Sequence, residues 1–97
     1  MAKYILSPTA QNRLQEIKAY SLENFGKRQT TIYLKKLHAT MQDLANEPSK
    51  GTERADIKKG YYSKFVVSHT IYYRISDTHI GIIDILHQSM EPKRHIL

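Results

Sequence analysis

The sequence predicts an α+β domain in which an antiparallel α-helical hairpin packs on a small, mainly antiparallel sheet, in the order β-α-α-β-β-β. Three observations carry this. A short apolar run ends at Ser7-Pro8; apolar residues then recur at three- and four-residue spacing up to Pro48, broken once by Gly26; and strand-forming residues crowd the stretch from Tyr61 to His87. Ninety-seven residues make one domain, 1–97, with a single modest core.

Residues 3–6 read as a strand that feeds directly into a helix. The Ser7 hydroxyl is suited to accept from an unpaired backbone N–H, and Pro8 at the first helical position loses nothing by lacking its own. The first helix spans about 8–25, with Ala10, Leu14, Ile17, Ser21 and Phe25 as its buried stripe and Tyr20 and Leu22 widening it. Gly26 supplies a residue able to take positive φ and end the helix. The second helix covers about 27–47, with Thr30, Leu34, Leu37, Met41 and Leu44 as its seam and Tyr33 and Thr40 beside it. A tight glycine turn between two helices predicts an antiparallel hairpin.

Residues 48–60 lack a consistent apolar period and form the longest irregular connection, a locally basic loop with Lys50, Arg54, Lys58 and Lys59. Strands follow at 61–67, 70–76 and 79–87, separated by Ser68-His69 and Asp77-Thr78.

Fifteen basic residues against nine acidic ones leave a net charge of +6 and a pI near 9.6, a balance that favours an acidic partner, either nucleic acid or protein. No apolar run approaches the ~18 residues of a membrane span, and the N-terminus has no signal-peptide pattern, so the cytoplasm is the expected compartment, with no membrane partner. Cysteine is absent, which excludes disulfides, thiolate metal sites and a cysteine nucleophile. The histidines at 38, 69, 79, 87 and 95 form no i, i+4 pair and no HExxH, and the glycines at 26, 51, 60 and 81 fit neither a phosphate loop nor a dinucleotide fingerprint. The expectation is no metal and no cofactor.

A surface nuclease would need cations near a phosphate and a group that moves protons. Lys64, Arg74 and His87 are the candidates, with His69 in reach, if the fold brings them to one sheet face; the alternative is that they are exposed sheet residues and a strand-end histidine. The interleaving of aromatic and basic residues, Tyr61, Tyr62, Lys64 and Phe65 and then Tyr72, Tyr73 and Arg74, also offers a stacking platform for nucleic acid.

Taken together, the opening LSPTAQNRLQEI, the second-helix pattern YLKKLHATMQDLANEP, the strand IYYRI and the ending DILHQSMEPKRHIL resemble the ParE toxins of the RelE/ParE superfamily. The matches are spread over almost the whole chain. The resemblance implies a RelE/ParE-like fold and a toxin of a type II toxin–antitoxin module, neutralised by a ParD-like or other small acidic antitoxin and acting by poisoning DNA gyrase without being a hydrolase. It implies contact with operator DNA only through the toxin–antitoxin complex. RelE-like relatives instead cleave mRNA on the ribosome, often with a tyrosine near the end of the last strand. Here all seven tyrosines lie at or before Tyr73, and His87 is the residue that keeps an RNA endonuclease open as the alternative. The expected toxic, target-binding surface is Lys64, His69, Arg74, His87, Met90, Lys93 and Arg94; the expected antitoxin contacts are Tyr20, Lys27, Arg28 and Tyr33, with the sheet edge. Many ParE sequences carry arginine just after the last-strand histidine, where this chain has Gln88 and Ser89. Within the tail, Ile96 and Leu97 have a second expected role, sealing the core.

Overall fold

Ser7 joins the first strand to the helical layer. In the computed structural model, which describes residues 2–96, strand β1 (Tyr4–Leu6) ends at Ser7, whose hydroxyl accepts from the Ala10 N–H at 3.0 Å and so caps the helix that Pro8 begins. The same hydroxyl donates to the Ile83 carbonyl at 2.8 Å, while the Ser7 N–H donates to the Ile82 carbonyl at 3.0 Å. One residue therefore caps the helix and ties β1 to the last strand.

The helical span Pro8–Asn46 is broken at Gly26, whose φ of 84° and ψ of 173° are not helical, into limbs α1 (8–25) and α2 (27–46). An unbroken helix of 39 residues would be about 58 Å long, yet the longest dimension of the molecule is 37 Å. Thr30 Oγ1 donates to Ser21 Oγ at 2.8 Å, a contact that only a chain reversal at Gly26 permits. The predicted hairpin is thus present, and its innermost contact is a buried hydroxyl pair.

Strands β2 (Thr52–Glu53), β3 (Tyr61–Val66), β4 (His69–Ile75) and β5 (Ile80–His87) complete a five-stranded sheet of order β1-β5-β4-β3-β2. Among the described residues, only the β1–β5 pair is parallel. Two expectations need correction. The connection 48–60 is not irregular throughout: it holds a 3-10 turn at Pro48–Lys50 and the short β2, which pairs Thr52 with Ser63 and Glu53 with Tyr62. The first hairpin loop is Val67-Ser68 instead of Ser68-His69, because Val66 and His69 already form a strand pair. Val67 sits there at φ 57°, the position where a two-residue hairpin turn usually places glycine; a β-branched residue held there carries about 1–2 kcal/mol of backbone strain.

The two faces of the sheet are buried against different material. On the helical side, Ala10, Ile17, Leu37, Met41 and Leu44 pack on Ile71, Tyr73, Ile80, Ile82 and Ile85. Gly51 lies so close under the Tyr73 hydroxyl, which donates to the Pro48 carbonyl at 2.6 Å, that no Cβ would fit there. The opposite face is covered by the loop before β3 and by the C-terminal tail: Ile57, Tyr61, Tyr72, Leu86 and Ile96 form a second cluster, with Met90 packed against it. Ile96 is therefore a core residue, in keeping with the sealing role; Leu97 lies outside the described residues. The expected stripe of α1 is only partly internal. Ile17 and Ser21 are buried, whereas Tyr20, Leu22 and Phe25 face outward, because past Ser21 the limb extends beyond the sheet.

Between Tyr72 and Tyr73 the register slips by one residue, Tyr72 lying opposite Asp84 and Tyr73 opposite Ile82, so that Ile83 is the extra residue of a β-bulge. Asp84 follows the bulge with no exposed surface. It accepts from Arg13 Nε at 3.0 Å, from Arg13 Nη2 at 3.1 Å and from the Ile85 N–H at 2.7 Å. Arg13 stays partly exposed and also reaches Glu16 at 3.2 Å; hydrogen bonding to Asp84 raises its pKa further.

Two stability outcomes follow from this packing. Arg13→Met leaves a buried carboxylate without its partner and is expected to destabilise by about 3–5 kcal/mol in urea unfolding, with Arg13→Met/Asp84→Leu recovering most of the loss; equal losses in single and double variants would show that the stranded carboxylate is not the source of the loss. Ile96→Ala is expected to cost about 2–4 kcal/mol by the same measurement, and a change below about 0.5 kcal/mol would mean that the tail does not seal the second cluster.

Candidate functional site

The β3–β4 turn and the end of β5 meet the helical hairpin at one end of the sheet, and a groove of about 730 Å³ opens between them. Its apolar wall is made by Ile17, Tyr20 and Phe25 of α1, Tyr33 of α2, Val67 of the turn and Met90 of the tail. Tyr20 and Phe25 are 65% and 62% exposed, with ring centroids 6.3 Å apart in an edge-to-face arrangement. Aromatic side chains this exposed contribute little to the fold and leave apolar surface for a partner.

The polar floor of the groove is a cross-strand histidine pair. His69 and His87 are register partners on β4 and β5, with ring centroids 5.3 Å apart and planes at 82°. His69 Nδ1 lies 2.6 Å from the Tyr33 hydroxyl, which also stands 3.2 Å from the Val66 carbonyl. When the tyrosine proton goes to that carbonyl, His69 Nδ1–H must donate to the Tyr33 oxygen, leaving Nε2 as an acceptor. His87 Nδ1 accepts from the Ser89 N–H at 3.1 Å and lies 2.8 Å from Ser89 Oγ, which places the proton of the neutral ring on Nε2. Burial, and after it the adjacent His87, lowers the His69 pKa to about 4, so His69 is neutral near pH 7.

The other cations expected at a catalytic site are elsewhere. Along β4, His69, Ile71 and Tyr73 share the helix-packed face, whereas Tyr72 belongs to the opposite cluster and Arg74 follows its parity. Arg74 pairs with Gly81 and Tyr61 at the far end of the strand, roughly 17 Å from His69. The expectation that Lys64, Arg74 and His87 meet on one face is therefore corrected: Lys64, opposite Ile71, lies one cross-strand row from His69, but Arg74 is on the other face and at the other end. Met90 is half-buried and bridges the groove and the second cluster, and its N–H donates to the His87 carbonyl at 2.9 Å. Lys93 and Arg94 project from an exposed 3-10 turn, Pro92–Arg94. Lys27 and Arg28 are exposed at the tip of the hairpin, just beyond the aromatic pair. Among the described residues no group of three or more metal-ligating side chains converges.

Sequence reasoning missed Phe25 as a wall of the groove, because its spacing matches a buried stripe. It also missed the Tyr33–His69 contact, since nothing along the chain relates positions 33 and 69. The turn Val67-Ser68 lies one residue before the expected Ser68-His69, because a β-branched residue gives no signal for left-handed backbone.

The residues 4–92 match the family described as the ParE toxin of the type II toxin–antitoxin system parDE. The chain is 33% identical to Toxin ParE1 of Caulobacter vibrioides over 96 residues, covering 99% of both, and 32% identical to Toxin ParE1 of Mycobacterium tuberculosis over 96 residues, covering 98% of both. Among solved structures, the fold is similar to a chain of the chromosomal ParDE system from P. aeruginosa, with a TM-score of 0.77 at 15% identity, covering 90% of this chain and 96% of that one. It is also similar to a chain of the RelBE2 toxin–antitoxin complex from Mycobacterium tuberculosis, with a TM-score of 0.63 at 20% identity, covering 89% and 96%. These likenesses bear out the α+β, RelE/ParE-like fold.

A histidine held neutral in the folded state binds fewer protons than the same residue unfolded. Its contribution is complete above about pH 6.5 and is lost as pH falls towards 4. The unfolding free energy of the protein is therefore expected to decline between those values, and His69→Gln to flatten that decline. Parallel pH profiles for the two proteins would remove His69 as its source.

Proposed function

Because the chain belongs to the ParE toxin family of type II toxin–antitoxin systems, we propose that it poisons DNA gyrase in the cytoplasm and is held inactive by a cognate ParD-like or other small acidic antitoxin. The observation that carries the non-hydrolytic part is the dispersal of the cations. Cleavage of a phosphodiester needs charge stabilisation and proton transfer at one point, whereas Arg74 and the histidine pair occupy opposite faces and ends of the sheet. A poison that acts by binding needs only a complementary surface. The candidate surface runs from His69 and His87 through Met90 to the exposed Lys93 and Arg94, with Lys64 at the strand edge and Arg74 on the outer face. Gln88 and Ser89 make part of it neutral; the Gln88 N–H is used in the sheet, donating to the Ser68 carbonyl at 2.9 Å.

The aromatic groove suits the antitoxin. An amphipathic segment laid across Tyr20, Phe25 and Tyr33 would bury their apolar surface, while Lys27 and Arg28 at the hairpin tip attract its acidic side chains. The neighbouring ParDE and RelBE2 structures are toxin–antitoxin assemblies, which supports a partner of this kind. Contact with operator DNA is assigned to the complex. No helix among the described residues is long and apolar enough to cross a membrane.

A second reading, a ribosome-dependent mRNA endonuclease, draws on one specific observation: Tyr33, His69 and His87 form a connected set of acid–base groups in a groove.

Supercoiling by purified gyrase, with cleaved DNA followed alongside, separates the two readings. The protein is expected to stop supercoiling and accumulate cleaved DNA, Lys93→Ala/Arg94→Ala to lose most of that effect, and added antitoxin to reverse it. Phe25→Asp should still inhibit gyrase but escape the antitoxin. Unimpaired supercoiling with folded protein would reject gyrase as the target and favour the ribosome. The tail is probed by exposed substitutions because removing residues 88–97 would also remove Ile96 from the second cluster.

A further inference from the structure

The edge strand β2 is too short to protect its neighbour. It pairs with Tyr62 and Ser63 and no further, since the chain before it leaves the sheet through Pro48–Lys50 and Gly51 is pinned beneath the Tyr73 hydroxyl. Among the described residues, the edge of β3 from Lys64 to Val66 has no strand beside it. An open groove of about 520 Å³ lies over this gap. Its cations are Lys50 and Arg54, with Lys64 at its rim: strand alternation sets Lys64 on the helix-packed side with Tyr62 and Val66, so it lines the groove only from the open β3 edge. Its hydroxyls come from Thr52, Ser63 and Thr70, and no acidic residue among the described ones lines it. Phe65, 53% exposed, is the one large apolar side chain in its wall.

The cations differ in readiness. Arg54 is held in place by two hydrogen bonds to Asp56, at 3.0 and 3.1 Å, and its guanidinium lies 5.8 Å from the Tyr72 ring centroid. It is oriented in advance, at the cost of a partly neutralised charge. Lys50 reaches Glu47 at 3.5 Å, and both side chains are largely exposed, so that pair is readily exchanged. Lys64 makes no ion pair among the described residues. Farther along this face the charge stays positive, with Lys58 6.0 Å from the Tyr61 ring centroid and Arg74 opposite Tyr61.

We propose that this groove binds a single-stranded nucleic acid, its phosphates between Lys64 and the Lys50–Arg54 side with the hydroxyls as additional donors, and one unstacked base on Phe65. Cations beside an exposed ring are how strand-tracking sites work, and the ring face accepts any base. A duplex keeps its bases stacked and offers Phe65 nothing. An acidic peptide added along the β3 edge would need apolar pockets for alternate side chains, and Phe65 is the only such feature here. The site lies apart from the histidine groove and shares only Lys64 with the proposed gyrase-binding surface; strand binding is measured with neither gyrase nor an antitoxin present, so its failure leaves the toxin reading standing.

The test is fluorescence anisotropy of labelled oligothymidylate and oligouridylate strands of about twelve nucleotides, titrated with the full chain at several salt concentrations. Binding to one or both strands is expected, with a log–log salt slope of about −2 for three phosphate contacts. Lys64→Gln should weaken binding and reduce that slope by about 0.7. Phe65→Ala should weaken it roughly 5- to 10-fold at an unchanged slope, and Lys35→Gln/Lys36→Gln at exposed positions of α2 should bind like the wild type. A preference between the two strands would tell DNA from RNA within the same proposal. Affinity unaffected by Lys64→Gln and Phe65→Ala, equal binding of a duplex, or Phe65-dependent binding of a polyglutamate peptide in place of the strands would each overturn it.

Discussion

A carboxylate with no exposed surface organises this molecule. Asp84 on β5 is tolerable in the interior only because Arg13 presents two guanidinium N–H groups to it and the Ile85 N–H supplies a third bond. That requirement sets where the first helical limb must lie across the sheet. The bulge at Ile83 turns the strand just before Asp84, and the carbonyl it presents is taken by the hydroxyl of Ser7. Strand β1, the start of α1 and the centre of β5 are thereby fixed to one another through Ser7, Arg13 and Asp84. The apolar core adds most of the stabilisation, but interchangeable isoleucines and leucines cannot by themselves select one position of a helix along a sheet.

With that frame in place, the two sheet faces take different cover and so acquire different chemistry. The helical hairpin covers one face and overhangs its end, where the aromatic residues past Ser21 remain exposed above the histidine pair. The basic loop and tail cover the other, each anchored by a single buried isoleucine, Ile57 and Ile96, which leaves their lysines and arginines in solvent. Apolar recognition is consequently concentrated at the groove and positive charge on the outer face. Met90, which touches both the groove and the outer cluster, is the point at which the two surfaces join.

The helix start at Ser7-Pro8, the break at Gly26 and the existence and order of the three long strands were legible because each depends on local preferences: a capping hydroxyl, a residue free to take positive φ, runs of β-branched and aromatic side chains. Strand β2 escaped notice because two residues carry no period. The Val67 turn was placed one residue too late because a β-branched residue is a poor choice for left-handed backbone. For the candidate sites, residue type was informative and proximity was not. His69 and His87 were identified as candidates, but Arg74 was grouped with them wrongly, since strand parity decides the face and register decides the end.

The sequence by itself determined the α+β class, the element order, the basic character and, through four dispersed motifs, the ParE resemblance; all of these are properties of composition, local spacing and order along the chain. The tertiary structure alone decided that Tyr33 meets His69, that Arg13 neutralises Asp84, that Phe25 lines a groove and that Ile96 closes a second core. Those contacts join residues far apart in sequence, and they form where the fold buries both faces of β5 and brings Arg13 to the internal Asp84.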